Sequence, residues 1–392
     1  MSSGALQPPL AKRESAAVAV IGGGIMGCAT AYHLARDGID VVVVERGELN
    51  REASGTNAGN LHFQVTRLPD SSPDRLAAAR ARVVLSEPAA EVWRTLEKEL
   101  DADLGVRIRG GLIVAETPDE VERLKLKAQI EHEAGVDSIV ISGNEARQLA
   151  PELAGDLLAA DYLEFEGFGN PLLVAPAYAR AAMRHGARIH LHTEVLGLRH
   201  RHGGGFVITT TRGEIEAGRV VAAAGVWTAE VAAMLNVDLP VEGHVITVAV
   251  TEPAPFTLKQ MVQHIGRKLT MKQTEYGTFV IGGGWIGDLV QATGVKRTRF
   301  TSTTGNLYAA ARVVPGLGEV RLLRTWGGVS GAGRSYVPLI GEIPGTAGFF
   351  ALLGGAGFTY GPVLGRLMAE LLRSGRTTVP IGQFAPQVAT PA

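Results

Sequence analysis

The feature that most constrains this chain is a run of three glycines between an apolar strand and a helix. Ala17–Ile21 is short, apolar and partly β-branched, which reads as a buried strand. Gly22-Gly23-Gly24-Ile25-Met26-Gly27 follows it directly. Ile25–Arg36 then carries apolar residues at helical spacing and stops at Gly38, and Asp40–Glu45 (DVVVVE) is a second continuous apolar run. Strand, glycine turn, helix and strand make a βαβ unit of a parallel sheet covered on both faces. In that setting the G-x-G-x-x-G spacing has a mechanical meaning. Gly22 permits the tight turn, Gly24 lets a pyrophosphate approach the backbone, and Gly27 lets helix and strand pack closely. The helix start at Ile25 and Met26 offers free N–H groups and a partial positive charge to phosphate. Glu45 lies about 20 residues on, where its carboxylate can accept hydrogen bonds from ribose hydroxyls and would repel a 2′-phosphate. A dinucleotide without that phosphate is the expected ligand.

The same pattern recurs at Gly282-Gly283-Gly284-Trp285-Ile286-Gly287, after the strand Thr278–Ile281. The segment that follows, DLVQATGVKRTRF, has no apolar helical stripe, and after Asp288 the next acidic residue is Glu319. This second copy reads as a turn in another domain.

Between and beyond these motifs the periodicity predicts a long amphipathic helix over Pro73–Leu100 broken near Pro88, a strand at Gly111–Thr117 and a charged surface helix at Pro118–Ala134. A helix at Leu172–His185 leads into a strand at Arg188–Leu196. A hairpin at Phe206–Thr211 and Glu214–Ala224 and a helix at Val226–Leu235 follow. Val241 to Gly284 reads mostly as strands, and Gly354–Gly361 is a glycine loop before a closing helix at Leu364–Leu372. Dinucleotide-type signals at both ends and in the middle imply two interleaved domains. One is expected over 17–65, 145–235 and 327–380, the other over 66–144 and 236–326, with tails at 1–16 and 381–392.

Composition narrows the function. A net charge of −1 leaves no global basic field for nucleic acid or an anionic membrane. The single cysteine, Cys28, rules out a disulfide framework and a cysteine zinc site and fits a cytoplasmic location. No run of ~18 apolar residues occurs, so no transmembrane helix is expected. The spacing of His62, His244 and His264 gives no metal-site pattern.

Arg46–Asn60 (RGELNREASGTNAGN) is rich in small residues and donors, as a phosphate or flavin contact requires. At this point the chain resembles the D-amino-acid-oxidase-like family of FAD enzymes, which includes glycine oxidase, sarcosine oxidase, D-amino acid dehydrogenase and the flavin subunits of opine oxidases. The resemblance is carried in order by VIGGGIMGCATAYHLARDGIDVVVVERG, ASGTNAG, HTEVLGL, VVAAAGVWTAEV, VPLIGEIPG and LLGGAGFTYGP, from Val18 to about Leu372. It implies a mixed α/β fold, with a discontinuous Rossmann-like FAD-binding domain and an interleaved antiparallel-sheet substrate domain.

By position it implies that Gly22, Gly24 and Gly27 hold the FAD pyrophosphate and that Glu45, with Arg46 beside it, meets the adenosine ribose. Ser54, Thr56, Asn57, Ala58 and Gly59 would lie along the pyrophosphate-to-flavin stretch. Val195 would meet the adenine, and Ala224, Gly225 and Trp227 would close over the cofactor. Gly354, Gly355, Gly357, Phe358 and Thr359 would aim N–H groups at the flavin N1–C2=O edge, where negative charge develops. Some relatives bind flavin through a cysteine near the C-terminal sheet. This chain has none there, so non-covalent FAD is expected, with His62 as the candidate for a histidyl link.

The implied activity is oxidation of the C–N bond of an amino acid or secondary amine (a D-amino acid, glycine or sarcosine, or an opine). A hydride equivalent passes to flavin N5, and the imine then hydrolyses. Oxygen, a quinone or a partner subunit would accept the electrons. The alternatives are a flavin subunit of a hetero-oligomeric opine or amine dehydrogenase, a flavin-dependent 2-hydroxy acid dehydrogenase on the same fold, and a non-catalytic FAD-binding protein. The substrate side departs from the family. Many relatives carry an Arg–Pro pair before the final P-x-I-G, and here Ser330 stands where that arginine is expected. Arg334, Arg324, Arg267 and Lys272 are candidate replacements. Tyr336, His62 and His244 complete the expected catalytic set, with His264, Tyr276 and Tyr360 as further candidates for the pocket wall.

Overall fold

The computed structural model describes residues 14–66, 68, 70–290, 294–333 and 336–388. Two eight-stranded sheets organise them. In the first, β1 (Glu14–Ile21) lies parallel between the strand Gly213–Ala222 and β2 (Val41–Val44), and β2 in turn pairs in parallel with Arg188–His190. Phe349–Leu353 adds a parallel partner to the end of Gly213–Ala222, while Val195–His200, Phe206–Thr210 and Leu339–Glu342 join antiparallel.

The four valines of β2 are all buried because the sheet is covered twice. Alternation sends Val18, Val20, Val41 and Val43 to one face, where helix α1 (Ile25–Arg36), the helices Ser86–Leu100 and Val174–Arg184 and the closing helix Gly357–Ser374 pack. Ala19, Ile21, Val42 and Val44 meet Ile208, Ile215 and Phe349 on the other.

The second sheet runs in the order Leu322–Ala332, Glu242–Pro253, Thr278–Gly282, Thr270–Gln273, Met261–His264, Gly111–Ala115, Ala159–Leu163, Ile139–Ser142. All its pairings are antiparallel except Met261–His264 with Gly111–Ala115. Met271, Phe279 and Ile281 pack with Ala309, Ala310 and Val313 of the helix Phe300–Val313 behind it. The mixed α/β architecture with two interleaved sheets is the one expected.

Several boundaries differ. Glu14–Ala16, placed in a tail, pair with Ile215–Ala217, and Phe384, placed in the C-terminal tail, is buried. The break expected near Pro88 is present and divides Pro73–Leu100 into two helices, Pro73–Val83 and Ser86–Leu100. The break falls before Pro88, which sits in the first turn of the second helix, where its missing N–H costs nothing. The strand drawn at Arg188–Leu196 is two strands with different partners, separated by a turn in which His192 has φ +49. Ala159–Leu163 belongs to the second sheet, not the first, and the helix Ser86–Leu100 packs in the first sheet's core through Trp93. Hydrophobic pattern marks a strand as buried without saying in which sheet, which is why these assignments slipped.

α1 and the closing helix pack closely in the first core. A Cβ on Gly361 would lie 2.7 Å from Ile25 Cγ2, and one on Gly365 would lie 2.5 Å from Ala29 Cβ and 3.0 Å from the Thr30 backbone nitrogen. Gly365→Leu should therefore force the helices apart and destabilise the fold by about 1–3 kcal/mol. A lowered urea midpoint for the variant is the expected reading, and an unchanged midpoint would show that the contact yields without cost.

Candidate functional site

A cavity of about 1130 Å³ is walled by both sheets. Its first wall is the carboxyl end of the parallel strands, with Ile21, Val44 and Ala223 around it, the usual place for a ligand in an open α/β sheet. The glycine turn is built as its spacing requires. Gly22 has φ +119, and a Cβ there would lie 2.4 Å from the Ala223 carbonyl oxygen. A Cβ on Gly27 would lie 2.1 Å from the Gly22 carbonyl oxygen, so α1 can sit this close to the turn only without a side chain. Gly24, Ile25 and Met26 line the cavity at the helix start. The Ile25 N–H donates to Ser54 Oγ at 3.0 Å. Glu45 accepts from the Gly23 N–H at 2.7 Å and the Gly47 N–H at 2.8 Å, so its carboxylate clamps the turn as well as facing the cavity.

Around this end the predicted residues converge. Arg46 lays its guanidinium 4.0 Å from the Trp227 ring centroid, and both residues line the cavity with Val195, Ala224 and Gly225. The short helix Ala53–Thr56 carries Ser54 and Thr56 to the wall, followed by Asn57 and Ala58. Asn57 donates to the Ala53 and Ser54 carbonyls and accepts from the Gly59 N–H at 2.7 Å, which holds the loop's shape. Gly59 is not on the wall. Its backbone packs on the Gly169 carbonyl, 2.3 Å from where a Cβ would be, so its role is close packing, not the ligand contact expected.

Gly354, Gly357, Phe358 and Thr359 line the cavity where the closing helix begins, with Met26 of α1 beside Gly354 and Gly357. Gly355 is packing again, with the Tyr336 carbonyl oxygen 2.2 Å from a notional Cβ. The Phe358 side chain lies against Trp93, and Thr359 Oγ1 donates to the Asn60 carbonyl and accepts from the His62 N–H, so these two serve as anchors of the loop.

Of the expected catalytic set, His62, His244 and Tyr336 reach the cavity. Arg334 lies outside the described residues. His244 stacks on Tyr336 at 6.3 Å between centroids, and it sits opposite Ser330 across two paired strands. Burial, with Lys272 nearby, holds the His62 imidazole down at about 3, so it stays neutral in the physiological range, and its Nδ1 has no hydrogen-bond partner.

The other candidates are elsewhere. Arg267 pairs with Glu116, Arg324 lies exposed over Trp326, and Tyr276 is exposed. Tyr360 is buried beside Ser86. His264 is buried away from the cavity. Its Nδ1 accepts from the Gly266 and Arg267 N–H groups, so its Nε2 carries the proton and donates to Glu116. Glu116, Glu120 and His264 cluster, but Arg267 and Arg312 already neutralise Glu116, and the group is an ion-pair network.

Lys272 has a different task from the one proposed for it. It is buried, donates to the Ala58 carbonyl and to Asn60 Oδ1, and stands 4.9 Å from the Phe168 ring. It ties the second sheet to the loop after Ala53–Thr56, and burial lowers its pKa to about 7. Gln263, Arg75 and Arg82 also line the cavity, and sequence reasoning missed all three. Gln263 lies in a strand read only for its apolar pattern. The two arginines stand seven apart on a helix read only as amphipathic.

This geometry is that of a flavoprotein oxidoreductase, and the chain belongs to the family described as FAD dependent oxidoreductase, whose profile matches residues 17–371. Glycine oxidase of Geobacillus kaustophilus is 28% identical over 379 residues, covering 94% of this chain and 96% of that one. Sarcosine oxidase subunit beta of Arthrobacter sp is 30% identical over 369 residues, covering 88% and 86%. The crystal structure of the Geobacillus glycine oxidase superposes with a TM-score of 0.84 at 25% identity, covering 95% of this chain and 99% of that one. The chain is an FAD-dependent enzyme that oxidises the C–N bond of an amino acid or amine.

Two outcomes test the cradle and its tether. Gly22→Ala adds a Cβ where φ is positive and a carbonyl is in the way, and should cost about 1–3 kcal/mol and lower the flavin retained on purification. Lys272 has its pKa depressed on folding, so the unfolded chain holds the extra proton between about 7 and 10.5. The contribution of this group to stability is therefore fully present above 10.5 and lost as pH falls towards 7. Urea midpoints at pH 7 and pH 10 should rise less with pH in Lys272→Met than in the unaltered protein.

Proposed function

We propose that this chain oxidises the C–N bond of an N-substituted amino acid, of the sarcosine or opine kind, with FAD held non-covalently along the first wall of the cavity. The observation that carries the reading is the continuity of one cavity from the glycine turn after β1 to the face of the second sheet and on to the helix Pro73–Val83. That is room for a dinucleotide and for a substrate larger than glycine beyond it. FAD fits the near end: Gly22 and Gly24 leave it clear of side chains, the first-turn N–H groups of α1 lack intrahelical partners, and Glu45 stands at the end of β2. Arg46 and Trp227 would flank the adenosine with Val195, and Ser54, Thr56, Asn57 and Ala58 would follow the pyrophosphate. Gly354 and Gly357 would lie at the flavin ring.

FAD, when bound, takes the two electrons that leave the substrate carbon. The chain's own groups bind and orient the amine. It must be uncharged for its lone pair to assist. A neutral His62 on the cavity wall meets the amine without the repulsion an imidazolium would add. His244 and Tyr336 close the opposite side as a stacked pair. Much of the catalysis is then orientation, which needs no strong protein base. The absence of an arginine at Ser330 supports an N-substituted substrate held differently from a simple D-amino acid.

A second reading has its own observation. Phe300 is 81% exposed and Tyr308 67% on the helix Phe300–Val313. Such a patch suits a partner subunit that accepts the electrons, and one relative is by name a subunit. No described helix is long and apolar enough to cross a membrane.

The test is the visible spectrum of the purified protein without oxygen, before and after sarcosine, D-proline, L-proline, octopine, nopaline and free D- and L-amino acids. Bleaching by an N-substituted member at the lowest concentration is the expected result. Bleaching only by primary amino acids would overturn the substrate class. Bleaching that oxygen does not reverse would favour the partner-subunit reading.

A further inference from the structure

The helix Pro73–Val83 turns one stripe to the cavity. Arg75, Ala78, Ala79 and Arg82 all line it, at the i, i+3, i+4, i+7 spacing of one helical face. Arg82 is half-buried. Its Nε donates to the Ala78 carbonyl at 3.3 Å, which leaves the two terminal nitrogens of the fork for another acceptor. Among the described residues neither Arg82 nor Arg75 has an ion-pair partner. The charged and titratable groups that Arg82 feels are the Tyr360 phenol from the closing helix and Arg75 from its own, the latter a like charge. Asp70 and Asp74 also line the cavity; Asp70 accepts from the Ser72 N–H at 3.0 Å, and its charge acts on Arg75 and Arg123, which leaves Arg82 without an anion. A desolvated arginine beside a second cation is costly unless an anion sits against it. Gln263, 1% exposed, also lines the cavity, and its Nε2 donor has no acceptor.

We propose that Arg82, with the more exposed Arg75, binds the carboxylate of the substrate, in the role that Ser330 leaves vacant. The proposal rests on the amino-acid reading above and deepens it by naming the residue that holds the substrate's carboxylate. The planar fork of Arg82 matches two carboxylate oxygens, which a lysine cannot do. The substrate would then be oriented from the helix Pro73–Val83, with its amine left towards His62 and the paired strands of His244 and Ser330.

The experiment uses the FAD-loaded protein without oxygen and follows flavin bleaching by sarcosine, L-proline and octopine, each against its methyl ester, with acetate as competitor. In R82Q the half-saturating concentration of the bleaching acid should rise roughly 100-fold. The rate at saturation and the half-saturation for the ester should change less than about 3-fold, and acetate should cease to compete. R82K, which keeps the charge and loses the fork, should fall between, and R75A should shift the acid roughly 3-fold. An acid half-saturation unchanged in R82Q, or an equal loss for acid and ester, overturns the assignment while amine oxidation stands. If R82Q does not retain FAD, R82K decides alone, and an acid-to-ester ratio equal to that of the unaltered protein overturns it. Failure of every acid and ester to bleach the unaltered protein would instead sink the amine reading itself.

Discussion

The closeness of α1 to the turn that precedes it is the constraint on which the rest of the molecule hangs. With 2.1 Å between a notional Gly27 Cβ and the Gly22 carbonyl oxygen, only glycine lets the helix begin where it does. Its first-turn N–H groups, which lack intrahelical partners, then lie at the ends of the parallel strands. The Glu45 carboxylate, bonded to the Gly23 and Gly47 N–H groups, fixes the same turn from β2. The closing helix reaches the cavity only because Gly361 and Gly365 let it lie against α1. One end of the cavity is thus assembled by backbone approaching backbone, with glycine permitting each approach.

The other end is held by buried charge. Lys272 of the second sheet grips the loop that follows Ala53–Thr56. Further along the same segment, Glu166 accepts from the Phe63 and Gln64 N–H groups, and Gln64 accepts from Lys127, which also pairs with Glu131 and Asp161. Lys127, Glu131, Asp161 and Glu166 are all fully buried. Burial pushes the Glu166 carboxyl up to about 7. Ion clusters of this kind add little net stability, since desolvation offsets their attraction, yet each member is costly to remove singly. Their consequence here is register: they hold the segment Asn60–Val65 and the second sheet in one arrangement, so that His62 meets the cavity from a defined side.

At the glycine-turn end, residues named from the sequence meet on one cavity wall. Gly22, Gly24 and Glu45 were named from the local spacing of a strand, a turn and a helix, whereas Ser54, Val195 and Trp227 were named only from the family resemblance. Gly59 and Gly355 were misjudged in kind, for a glycine that packs and a glycine that faces a ligand look alike in one dimension. Lys127 and Glu131 sit in a helix whose charges read as a solvated face, and the structure buries both.

The substrate end was hardly legible at all. Arg267, Arg324, His264 and Tyr276 were as plausible from their residue types as His244 and Tyr336, and the fold sent the first four elsewhere. Sequence alone determined the parallel βαβ unit, its dinucleotide chemistry and the mixed α/β class, because hydrophobic period and glycine spacing are properties of consecutive residues. Only the tertiary structure decided which sheet Ala159–Leu163 joins, which cations are spent on salt bridges, and which two arginines of the helix Pro73–Val83 face a cavity. Those outcomes depend on what packs against a side chain from a distant part of the chain, and no local pattern records it.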